Sequence, residues 1–170
     1  GGGIDMKVTA EELSQAATVI LEGLGETSDN AAKAADCMVY ADMTGVTTHG
    51  TYLLRNISNR VKARILNLPT CAEIIKDDMA TAIVDGGNGL GFIAARLAME
   101  TAVKKAGEYG VGWVLIRSTN NVGCLGYYTN IAVGSGMIGV AACNANAAMA
   151  PWGGREAFLG TNPISVGIPV

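Results

Sequence analysis

Aromatic side chains are scarce in this 170-residue sequence (5%), charged ones are few (16%), and histidine occurs once, at His49. The 12 Lys and Arg are scattered along a chain of net charge −3, which argues against nucleic acid and against a cationic membrane-surface helix as partners. No apolar run approaches the roughly eighteen residues that a membrane crossing needs, so a soluble globular protein is expected. The four cysteines, Cys37, Cys71, Cys124 and Cys143, are widely spaced without a C-x-x-C pair or a preceding signal peptide. That pattern predicts reduced cytoplasmic thiols, each a small buried side chain among apolar neighbours, and no metal site.

What the sequence does have is apolar content (49%) and 23 glycines. Gly1–Asp5 reads as a flexible leader and Met6 as the native start. Thr9 and Glu12 form a capping box ahead of Leu13, Ala16, Ala17, Ile20, Leu21 and Leu24, predicting a helix over 10–23. A second helix begins at Ser28 or Asp29 and runs to Thr44, where Gly45 offers a stop. A third carries Leu53, Ile57, Val61 and Ile65 on one stripe and ends near Asn67, before Pro69.

After Pro69 the pattern becomes short β-rich runs alternating with helices: a strand at 82–84, a helix over 91–109 and a strand at 111–116. A short helix at 127–133, a strand at 137–142, a loop over 144–160 and a strand at 164–168 follow. The expected organisation is a helical region, 6–69, and an α/β region, 70–170, with the boundary near Leu68–Cys71.

Two segments are candidates for chemistry. Asp85-Gly86-Gly87-Asn88-Gly89-Leu90-Gly91 follows a strand and opens a helix, as a phosphate-binding turn would. It lacks the G-x-G-x-x-G spacing, and the next strand ends at Arg117 where the Rossmann arrangement has an acid, so an ordinary strand-to-helix turn is the better reading. His49 lies in Thr47-Thr48-His49-Gly50 between two helices, where an imidazole can exchange protons with a substrate near neutral pH. On sequence chemistry alone, a capping or solvent-exposed histidine is the stronger reading.

Ala41-Asp42-Met43-Thr44-Gly45-Val46-Thr47-Thr48-His49-Gly50 resembles A-D-x-x-G-V-x-S-H-G of the malate/L-lactate dehydrogenase family, with Thr48 in place of the usual serine. Val84-Asp85-Gly86, Tyr109-Gly110-Val111-Gly112, Gly126-Tyr127-Tyr128 and Met137-Ile138-Gly139 match in order. Pro151-Trp152-Gly153-Gly154 and Gly160-Thr161-Asn162-Pro163 resemble the family's P-W-G-G and G-T-N-P signatures. The resemblance implies a helical region followed by a non-Rossmann mixed-sheet α/β nucleotide-binding domain of the L-sulfolactate dehydrogenase kind. It implies a helical domain completed by a further carboxyl-terminal half, and homodimeric subunits. It also implies NAD or NADP as cofactor, with Asn120, Gly123, Asn144, Pro151, Trp152, Gly153, Thr161, Asn162 and Pro163 beside the cofactor and substrate cleft. The glycines and prolines among these also suit plain turn geometry.

There are two departures. The family's R-N-S-N-H-F-G, whose histidine is an acid-base candidate, reads here Arg117-Ser118-Thr119-Asn120-Asn121-Val122-Gly123. Asn121 can hydrogen-bond a substrate oxygen but cannot take up a proton, leaving proton transfer to His49 or to a residue beyond position 170. Four residues after His49, where an arginine would clamp a carboxylate, stands Leu53; Arg55 nearby reads as a solvated surface charge. The expected function is hydride transfer between NAD(P) and a small 2-hydroxy or 2-oxo acid, with His49 and Asn121 as catalytic residues. The alternative is a catalytically altered paralogue that binds nucleotide or assembles with another subunit. Because family members are roughly twice as long, the chain is expected to be incomplete as an enzyme and to associate through exposed Leu53, Ile57, Val61 and Ile65.

Overall fold

The computed structural model describes residues 7–170, so the expected leader and the start at Met6 lie outside the described residues. The chain forms two compact units, one running up to Cys124 and a second spanning Leu125–Val170.

The first unit opens with α1 (Ala10–Gly23), capped as expected by Thr9, whose hydroxyl accepts from Glu12 N while the Glu12 carboxylate takes the Thr9 N–H. Helix α2 (Ser28–Met43) buries Ala31, Ala34, Ala35, Cys37 and Met38 and packs on α1, which buries Ala17 and Leu21. Helix α3 (Leu53–Lys62) follows a single 3-10 turn, Thr47–His49. It is shorter than its apolar stripe predicts. Leu53 and Ile57 are buried within this chain and not exposed, and Ile65, 49% exposed, lies beyond the helix.

The end of α3 is a Schellman turn: Arg64 N bonds Val61 O and Ile65 N bonds Arg60 O, with Arg64 left-handed at φ 57. Helices α1 and α2 end in the same bond pattern with Gly25 and Gly45 at that position. There the missing side chain makes the left-handed backbone cheap; at Arg64 it is not.

Strands β1 (Glu73–Asp78) and β2 (Thr81–Asp85) pair antiparallel, and β2 pairs parallel with β3 (Trp113–Arg117), giving a mixed sheet of order β1-β2-β3. Helix α4 (Gly91–Tyr109) covers one face, where Val84, Ala94 and Ala98 form a buried cluster joined by Leu97, Val114 and Ile116. Lys105 of α4 is buried and donates to Asp77 and to Met79 O, fixing β1 and its turn to the helix.

Side-chain bonds cross the change of composition near Leu68–Cys71. Thr70 N donates to both oxygens of the buried Glu26 (3.1 and 3.0 Å), and Thr70 Oγ1 accepts from Leu90 N at 2.9 Å. These bonds tie the α1–α2 loop to the entry of α4, and α2 itself packs on α4.

The second unit holds α5 (Leu125–Gly134) against an antiparallel pair, β4 (Gly139–Ala142) and β5 (Ile164–Gly167). Gly139 and Gly167 let both strands approach Thr129 of α5, which is buried, its hydroxyl 3.2 Å from Ser165 Oγ. The mixed α/β architecture with a helical beginning is as the sequence predicts.

Candidate functional site

His49 ends the 3-10 turn between α2 and α3, half-buried, with Nδ1 2.9 Å from the Thr48 hydroxyl. The turn is held from behind by Asp42, near the end of α2: its Oδ2 accepts from Thr51 N at 2.9 Å and from the Thr51 hydroxyl at 2.7 Å. Gly50 lies against the same carboxylate, and a Cβ there would fall 1.9 Å from Asp42 Oδ1. Asp42 and Thr51, nine positions apart, thus close the chain around the turn that carries His49. Arg55 is exposed, as expected.

The segment after β3 carries Asn120, Asn121 and Gly123. Asn120 is engaged on both ends of its amide: Oδ1 accepts from Arg60 Nη2 at 2.6 Å, and Nδ2 donates to Asn88 O and Gly89 O, each at 2.9 Å. Gly123 is buried, and a Cβ on it would meet the Phe92 ring at 2.6 Å. Asn121 is exposed; its Oδ1 accepts from Gly123 N at 2.7 Å, so its Nδ2 is the end it can present to a ligand.

The glycine-rich turn between β2 and α4 serves close packing. A Cβ on Gly91 would meet Asn120 O at 2.3 Å and Asn121 O at 2.4 Å, so the start of α4 packs directly on the backbone of the segment after β3. Asp85 accepts from Gly87 N (2.9 Å) and Arg117 Nε (2.7 Å), and these two bonds hold its carboxyl below the usual carboxylate range.

In the second unit the long excursion between β4 and β5 carries the remaining candidates, all exposed. Pro151–Gly154 is a β-turn closed by Gly154 N to Pro151 O (2.8 Å), with Gly153 at φ 77 and Trp152 fully exposed at its corner. Pro151, Gly154, Arg155, Glu156, Ala157 and Phe158 line an open depression beside it. Nearer the strands, Asn162 Oδ1 accepts from Ala145 N at 2.9 Å and Cys143 N bonds Pro163 O at 3.2 Å, which brings Asn144, Asn162 and Pro163 together at the neck of the loop; Thr161 lies next to Asn162 in the chain.

Burial pushes the Cys143 thiol up. Cys37 is buried as expected, Cys124 and Cys143 are half-buried, and Cys71 is exposed because it lies in the extended link before β1. Among the described residues no group of three or more His, Cys, Asp and Glu is placed to hold a metal ion, and no helix is long and apolar enough to cross a membrane. His49 is picked out by the sequence alone; Asp42 and Thr51, which meet nine positions apart around it, and Arg60, sixty positions from Asn120, are not.

Residues 8–170 match the family described as Malate/L-lactate dehydrogenase. L-sulfolactate dehydrogenase of Methanocaldococcus jannaschii is 40% identical over 147 residues, 86% of this chain and 43% of that protein. Ureidoglycolate dehydrogenase (NAD(+)) of Escherichia coli K12 is 30% identical over 164 residues, 96% of this chain and 47% of that protein. The solved structure of malate dehydrogenase from Pyrococcus horikoshii OT3 superposes with a TM-score of 0.91 at 34% identity, over 99% of this chain and 49% of that one. The chain spans about half the length of the relatives it matches.

Proposed function

The chain belongs to the malate/L-lactate dehydrogenase family, and from that premise we propose that it acts in an NAD- or NADP-dependent oxidoreductase for a small 2-hydroxy or 2-oxo acid. The observation that carries this reading is the continuous match over residues 8–170, which takes in the turn presenting the sequence's single histidine. The relatives are themselves named as dehydrogenases of sulfolactate, malate and ureidoglycolate, one of them with NAD(+).

The nicotinamide supplies or takes the hydride when bound. The chain's own residues do the rest: His49 moves the proton at the substrate oxygen, and Asn121 orients that oxygen through its Nδ2 donor. The Trp152 turn and the Asn144–Asn162–Pro163 neck contribute contacts to the cofactor, residues 70–170 forming the nucleotide-binding part and 6–69 the helical part. Asn120 and Gly123 contribute by shaping the segment that carries Asn121. We read the protein as a cytoplasmic homo-oligomer; exposed Trp113 and Leu115 on β3 are consistent with a covered surface, and light scattering tests it.

The test is oxidation of reduced nicotinamide by the complete natural protein across a panel of 2-oxo acids. His49→Ala should lower turnover by roughly 10²–10⁴ if it carries the proton. Unchanged kcat in a folded variant would assign His49 a structural role. A second reading, a paralogue that binds nucleotide without turning over the acid, is favoured by two departures: Asn121 stands where the family's acid-base histidine is expected, and buried Leu53 where its arginine is. Quenching of reduced-cofactor fluorescence without turnover would support that second reading.

A further inference from the structure

We propose that Asp42 is a positioning residue for His49, acting through Gly50 and Thr51. Three observations converge on its carboxylate. Oδ2 accepts from both the backbone N–H and the hydroxyl of Thr51, at 2.9 and 2.7 Å. Gly50, the residue after His49, packs so tightly on the carboxylate that any side chain there would collide with it. Helix α3 has no side-chain cap of its own, and Thr51 lies immediately before its Tyr52 N-cap, so the acid at the end of α2 satisfies a donor at the entrance of α3 and places negative charge at the positive end of its dipole.

The other bonds within the turn are short-range: His49 N to Val46 O, Gly50 N to Thr47 O and Leu53 N to Gly50 O along the backbone, and the Thr48 hydroxyl to His49 Nδ1 between neighbouring side chains. Val46 N to Ala41 O ties the start of the turn to α2 through the backbone. The Asp42 carboxylate ties its far end, at Thr51, and removing it would free the His49–Thr51 side of the turn to shift relative to α2. A shift of about 1 Å in a reacting group is enough to cost up to about 100-fold in rate. The catalytic part of this inference rests on the dehydrogenase reading above; the geometric part does not.

The experiment uses the complete natural protein and two readouts. The first is the imidazole NMR signal of His49, identified by its disappearance in His49→Gln. The second is kcat and KM for reduced-nicotinamide oxidation with the best 2-oxo acid. Asp42→Ala should move the His49 signal and lower kcat by about 10- to 100-fold with KM changed less than about twofold. Asp42→Asn, which keeps an oxygen acceptor for Thr51, should recover most of the loss. If Asp42→Ala does not fold, Thr51→Val decides, since it removes only the hydroxyl bond; its His49 signal should move in the same direction. An unmoved His49 signal in either folded variant overturns the proposal. If the unaltered protein reduces no 2-oxo acid, the dehydrogenase reading fails, while the NMR comparison still decides whether Asp42 positions His49.

Discussion

Arg60 donates through Nη2 to Asn120 Oδ1 at 2.6 Å, joining α3 to the segment that follows β3 across sixty positions of sequence. The other end of the Asn120 amide reaches Asn88 O and Gly89 O, so one side chain fastens three elements. Arg60 Nε is buried without a partner among the described residues, which makes the bond to Asn120 more valuable to it.

Neighbouring asparagines should therefore behave oppositely. Asn120→Ala removes several bonds, one of them charge-assisted, and should cost about 2–4 kcal/mol in urea unfolding. Asn121→Ala should leave stability within about 1 kcal/mol and reduce turnover instead, and Asn121→His should raise or broaden 2-oxo acid reduction. Equal loss of stability in both alanine variants would contradict this division.

Arg64→Gly should stabilise the protein by about 0.5–1 kcal/mol, because Arg64 holds the left-handed position of a Schellman turn that Gly25 and Gly45 hold in α1 and α2. The shift in denaturation midpoint measures it. Gly45→Arg, the reciprocal change, should lower the midpoint.

Asp85 gives a pH signature. Its carboxyl ionises below the usual range in the folded protein because Gly87 N–H and Arg117 favour the charged form. The stabilisation is then present above the unfolded value of about 3.9 and is lost as pH falls through the lower folded value. Thermal midpoints of the unaltered protein and Asp85→Asn should differ at neutral pH and converge in acid. A gap constant down to the lowest pH at which both fold would refute the assignment.

Native alkylation followed by mass spectrometry should label Cys71 first and Cys37 last, following their exposure. Cys143 should react slowly for its partial exposure, because burial disfavours its thiolate.

How much of this was legible in the sequence follows from the range of the interactions involved. Helices α1 and α2 are written locally, by Thr9 and Glu12 at one start and by Gly25 and Gly45 at the stops. Strand β1 is not: Glu73–Asp78 is exposed throughout and rich in charge, and only pairing with β2 makes it a strand. The overlong reading of α3 has the same origin, since Ile65 fits the helical stripe while the chain turns at Arg64 without a glycine to announce it. The position of His49 between two helices was legible because the sequence around it is local. The engagement of Asn120 was not, because its partner Arg60 lies sixty positions away.

The loop between β4 and β5 leaves and rejoins the strands at one point, where Cys143 N meets Pro163 O. Beyond that neck the two sides meet again at Met149 and Leu159, so residues 150–158, with the Trp152 turn, lie outside two successive closures. The closure entropy of such a loop rises only slowly with its length. The second closure shortens the span left open, so the fold holds the Trp152 turn out on a doubly fastened arm whose reach is set by the strands beneath it.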